Sequence, residues 1–107
     1  MLFRSNVIIC PQREGRVDLK WLFKNLAKQK ITSILVEGGA HVVGSALKEK
    51  LADKMYIYIA PKIFGDQKAL SSVAGIRAVN VNKLIQLHKI TFERIVKDIF
   101  IQGYFIN

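Results

Sequence analysis

The 107-residue sequence is poor in cysteine, histidine, proline and acid, and each shortage closes off a class of protein. A single cysteine, Cys10, permits neither an internal disulfide nor a cysteine-based metal cluster. At the end of an apolar run it reads as a small buried hydrophobe rather than a reactive thiol. The two histidines, His41 and His88, have no second histidine or acid at metal-ligand spacing, so no metal site is expected. Seven glycines and two prolines are too few for a collagen-like or low-complexity chain. No apolar run approaches the ~18 residues that a membrane span needs, and the first residues lack the order of a secretory signal. The expectation is a soluble cytoplasmic protein with no membrane partner.

The shortage of acid leaves a large positive balance, seventeen Lys and Arg against eight Asp and Glu, for a formal charge of +9. Such a balance raises nucleic acid as a partner. The distribution argues against it: Lys20, Lys24, Lys28 and Lys30 lie along or just beyond one helical stretch, Lys48, Lys50 and Lys54 border another, and no basic run or aromatic stacking pattern accompanies them. A solvated basic surface, or attraction of a phosphorylated small molecule, fits better.

What is present is enough apolar sequence for one domain, half of the residues being hydrophobic. Residues 7–10 form an apolar run closed by Pro11, expected as a buried strand. Residues 12–17 are polar and read as a loop. Asp18 is placed to cap a helix, since Leu19, Leu22, Phe23 and Leu26 follow at helical spacing, to about Gln29. Trp21 is expected to cover the edge of the core. Residues 31–36 are rich in β-branched residues and apolar on both faces after Ser33, as a parallel strand covered by helices would be. After the Glu37-Gly38-Gly39 turn, the spacing of Val42, Val43, Ala46, Leu47 and Leu51 predicts a helix over about 41–51.

Residues 55–60 give a third strand stopped by Pro61. Strand, helix, strand, helix, strand demands right-handed crossovers and a parallel sheet. Beyond Pro61 the period fades over 67–82, with a short strand expected near 77–81. Residues 84–96 and 99–106 then read as an antiparallel hairpin turning at Lys97-Asp98. The fold class is α/β, parallel strands with helical crossovers closed by a C-terminal antiparallel hairpin.

The stretch Ile34-Leu35-Val36-Glu37-Gly38-Gly39-Ala40-His41 carries the candidate site. A helix start offers unpaired amide groups and a partial positive charge, and paired glycines let a phosphate reach the backbone. Gly39 and Gly44 have the spacing of a phosphate-binding P-loop, but Ser45 stands where its lysine belongs, so triphosphate chemistry is excluded. A tight structural turn is the plainer alternative. Glu37 ends an apolar run, where a carboxylate needs a partner, either a ligand or neighbouring backbone amides. Strand ends of open α/β sheets collect ligands, and Ala60-Pro61-Lys62 is a second such end. His41 falls in the first helical turn, as an exposed residue or a phosphate contact, and His88 reads as surface or packing.

Val36-Glu37-Gly38-Gly39 together with Tyr58-Ile59-Ala60-Pro61-Lys62-Ile63-Phe64-Gly65 resembles the reductase domain of the bifunctional riboflavin-biosynthesis deaminase/reductases and of the related stand-alone pyrimidine reductases. The resemblance implies a partial dihydrofolate-reductase-like fold, often with the Gly-Gly bond in cis. It also implies NADPH-dependent reduction of 5-amino-6-(5-phosphoribosylamino)uracil, a phosphorylated pyrimidine, to its ribityl form. Carried over residue by residue, Gly38, Gly39, Ala40 and His41 face the cofactor phosphates, and Glu37 and Lys62 bind the substrate; no catalytic residue is assigned. The resemblance covers about the second half of a reductase domain, without the deaminase. A carboxy-terminal portion, inactive alone and associating as a homodimer, is the expectation. The alternative is a non-catalytic phosphate- or nucleotide-binding module of the same fold.

Overall fold

The structure is a computed structural model that describes residues 6–77 and 80–106. The chain divides into two compact units, Met1–Leu35 and Val36–Asn107.

In the first unit, residues 12–17 are not the loop expected of them. They form a small hairpin, β1 (Gln12–Arg13) against β2 (Arg16–Val17), turning through Glu14 and Gly15. Both turn residues have positive φ, 53° and 74°, which matches the right-handed twist of a two-residue hairpin. The Asp18 amide donates to the Pro11 carbonyl at 3.0 Å and closes its base. Helix α1 (Leu19–Lys28) starts as expected: the Asp18 carboxylate accepts from the Trp21 amide at 2.9 Å. Trp21, expected over the core edge, is 37% exposed. The helix ends in a Schellman motif. Lys30 turns left-handed at φ 64°, its amide donates to the Ala27 carbonyl, and that of Ile31 donates to Leu26.

The second unit holds helix α2 (Ala40–Lys48) and a three-stranded sheet, β3 (Lys54–Ile59), β4 (Leu87–Ile95) and β5 (Asp98–Phe105), in the order β3-β5-β4. Helix α2 is shorter than its apolar spacing suggests. Lys50 turns left-handed at φ 56° and the Leu51 amide donates back to Ala46 at 2.9 Å, a second Schellman stop built on lysine where glycine is usual.

The largest correction concerns the sheet. Every ladder among the described residues is antiparallel, including β3 with β5, where parallel strands joined by helical crossovers were expected. Residues 7–10 and 31–36 are in no strand, and Val7 and Ile9 are 88% and 91% exposed. An apolar, β-branched run has the propensity for a strand, but a strand exists only where a neighbour takes its backbone hydrogen bonds, and these runs have none among the described residues. The expected strand at 77–81 lies partly outside the described residues; Val81–Lys83 is a turn of 3-10 helix.

The C-terminal hairpin is present, one residue earlier than read, with Val96 and Lys97 as its turn. Val96 has φ 56° at the first central position, where such turns favour glycine and a β-branched residue is strained. We expect Val96→Gly to stabilise the chain by about 1 kcal/mol in urea unfolding, the left-handed penalty being relieved at an exposed site.

Register puts Lys54, Tyr56 and Tyr58 of β3 directly opposite Tyr104, Gln102 and Phe100 of β5, hence on one face. Phe100 stacks on Tyr58 at 4.7 Å and on Tyr56 at 5.7 Å between ring centres. The Lys54 ammonium lies 4.9 Å from the Tyr56 ring centre and 5.1 Å from that of Tyr104. Hydrogen bonding to Tyr56, and less to Tyr104, holds Lys54 above the ordinary lysine pKa. The opposite face carries Met55, Leu87 and Phe105, which with Leu47 of α2 border one hollow.

Candidate functional site

The Glu-Gly-Gly turn leads directly into α2. Gly39 is the helix N-cap, with φ −62° and ψ −177°, and its carbonyl accepts from the amides of Val42 and Val43 at 3.1 Å each. No side chain caps this end, unlike α1, where Asp18 does so. A glycine N-cap brings no side-chain oxygen of its own to the partial positive charge of the helix start.

Gly38 has φ 134°, a conformation that side chains rarely adopt, and the Gly38–Gly39 peptide bond is cis. A Cβ built on either glycine would meet nothing within 4 Å. Neither glycine is crowded on the side where a Cβ would stand. Glu37, Gly38, Gly39 and His41 are exposed and Ala40 half-buried, so the chain presents this turn at the surface of its unit.

Glu37, Gly38, Gly39, Ala40 and His41 come together simply by adjacency. Lys62 stands three residues beyond the end of β3, exposed, its amide donating to the Ala60 carbonyl at 2.8 Å. No described contact joins its side chain to Glu37. His88 lies half-buried at the start of β4, in a different part of the unit from the turn.

One feature of the site escaped sequence reasoning. Gly44, in the middle of α2, is buried against the backbone of Ala74: an added Cβ would overlap the Ala74 carbonyl oxygen and come within 2.9 Å of its carbonyl carbon. The Ala74 amide in turn donates to the carbonyl of Ala40, the first residue of α2, at 3.1 Å. The segment around Ala74 is therefore docked on the helix that the Gly-Gly turn starts. A glycine inside a helical pattern was the available signal, since such a residue usually marks close approach by another backbone.

No helix among the described residues is long and apolar enough to cross a membrane. Among known proteins, the riboflavin biosynthesis protein RibD of Actinobacillus pleuropneumoniae is 32% identical over 102 residues, 95% of this chain and 27% of the relative. RibD of Escherichia coli K12 is 39% identical over 70 residues, 64% of this chain and 19% of the relative. The chloroplastic riboflavin biosynthesis protein PYRR of Arabidopsis thaliana is 31% identical over 72 residues, 67% of this chain and 12% of the relative. The chain thus spans about a quarter or less of the length of these relatives. Residues 2–101 match the RibD C-terminal domain as a family, a match that takes in the Glu-Gly-Gly turn, α2, β3, β4 and the first half of β5, and the chain belongs to that family.

Proposed function

We propose that this chain is part of an NADPH-dependent 5-amino-6-(5-phosphoribosylamino)uracil reductase of riboflavin biosynthesis, with a dihydrofolate-reductase-like domain as its full setting. The observation that carries this reading is the uncapped, glycine-lined start of α2 in a member of the RibD C-terminal domain family. When bound, the nicotinamide supplies the hydride that reduces the ribosyl carbon. Gly38 and Gly39 keep Cβ atoms away from the cofactor phosphates, and the amides of Ala40 and His41 donate to them at the positive end of the helix. Glu37, immediately before the turn, holds the sugar hydroxyls of the phosphorylated pyrimidine, and Lys62 supplies a cation to its phosphate.

Glu37 and both glycines are exposed, so water has access to a substrate bound at this turn. The chain by itself is accordingly a binder of cofactor phosphates that does not turn over substrate. Its exposed apolar residues, among them Ile63, Phe64 and Leu70, suit burial against further protein, and we propose a cytoplasmic homodimer with no nucleic-acid partner.

The test is NADPH binding by calorimetry to the full chain and to Gly39→Asp. Aspartate is a preferred N-cap, and the space beside Gly39 admits it, so stability is expected to hold or rise by a few tenths of a kcal/mol. NADPH affinity is expected to fall about tenfold or more, ~1.4 kcal/mol, because a carboxylate then occupies the phosphate position. Equal NADPH affinity in the two proteins would refute the assignment of this turn.

A further inference from the structure

The second unit contains a hollow of about 520 Å³ at the opposite end of α2, within the usual range for small-ligand sites. Leu47, Ile76 and Phe105 give it apolar walls. Its titratable lining residues among those described are Lys48, Lys50, Lys83 and His88; Glu49, between the first two in sequence, is not one of the lining residues. They come from separate elements: Lys48 ends α2, Lys50 follows it, Lys83 closes the 3-10 turn, and His88 is the second residue of β4.

Lys48 could be explained as compensating the negative end of the helix. Lys83 and His88 have no such duty, yet they border the same space. The backbone at His88 is also unusual. The β4–β5 register shifts between His88 and Thr91, and Lys89 has φ 51°, a bulge of the kind that redirects side chains beside functional sites.

We propose that this hollow binds a phosphomonoester of a compact apolar or aromatic ring compound. The ring lies against Leu47 and Phe105, and the dianionic head sits among the lysines. Apolar walls alone would accept any oily molecule, and lysines alone would hold any anion weakly in water. Their combination on one cavity, with no acid among its described lining residues, selects a molecule that carries both features. The site is separate from the Gly-Gly turn, since α2 spans nine residues, about 13 Å, between them.

The probe is 1-naphthyl phosphate, titrated into the isotopically labelled full chain and followed by amide chemical shifts. Expected shifts fall on residues 47–50 and 82–88, and 1-naphthol and inorganic phosphate each bind at least tenfold more weakly. Lys83→Gln and Lys48→Gln, both at exposed positions, should each weaken the probe severalfold with the spectrum otherwise unchanged. Gly39→Asp should leave the probe's affinity intact, which separates this site from the cofactor turn. The proposal is overturned if inorganic phosphate or 1-naphthol binds as tightly as the probe, if both lysine variants bind it normally, or if the shifts concentrate on residues 38–41.

Discussion

Gly44→Ala is expected to destabilise the chain by about 2 kcal/mol in urea unfolding, although alanine is the better helix former by ~1 kcal/mol. At an open helical position the substitution would stabilise. Here the new methyl group overlaps the Ala74 carbonyl, a backbone atom that cannot rotate out of the way. Either α2 shifts, at an overpacking cost of about 1–3 kcal/mol, or the segment around Ala74 lifts off and forfeits its hydrogen bond to Ala40, worth ~1 kcal/mol. The sign of the change is thus the readout. A gain in stability would show that Ala74 does not rest on the helix in solution.

Phe100→Ala is expected to cost more, about 2–3 kcal/mol. Phe100 lies on β5, the central strand, and stacks on Tyr58 and Tyr56 of its neighbour. Removing a fully buried phenylalanine costs about 3–5 kcal/mol; this ring is only half-buried, which lowers the figure, while the lost aromatic pairs return about 1 kcal/mol of it. Phe92→Ala provides the contrast. Phe92 is on the edge strand β4 and 78% exposed, so its loss should change stability by less than about 1 kcal/mol. Comparable losses for the two would mean that the Phe100 stack contributes little.

These elements also mark where sequence was informative. Helix α1 was readable because its signals are local: a capping aspartate, an apolar stripe and a stop near Gln29 all act within one or two turns. The C-terminal hairpin was readable for the same reason, its strands being long and close in sequence. Strand direction was not. The residues of β3 look alike whether they pair in parallel or antiparallel, and the alternation of strand and helix favoured the wrong choice. Residues 31–36 failed differently, since their composition suits a strand and only a neighbour could make them one. At the candidate site, the Glu-Gly-Gly turn and the start of α2 were legible from two glycines before an apolar period. The Ala74 contact was not, because it joins residues remote in the chain and uses backbone atoms that every residue shares.

Among the described residues the three-stranded sheet has no further strand paired at either edge, and the two edges are chemically unequal. Along β4 the ladder is interrupted by the bulge, and Lys89, Glu93 and Arg94 place charge on the exposed strand. Such an edge is twisted and solvated, a poor template for another backbone. Along β3 the pairing with β5 runs unbroken from Lys54 to Ile59, with no proline or bulge within the strand. A regular edge of this length leaves a row of amides and carbonyls ready for a partner. The sheet therefore has a direction of growth: a strand that extends it is admitted beside β3 and turned away at β4, so misassembly is restrained on one side while the other stays open for addition.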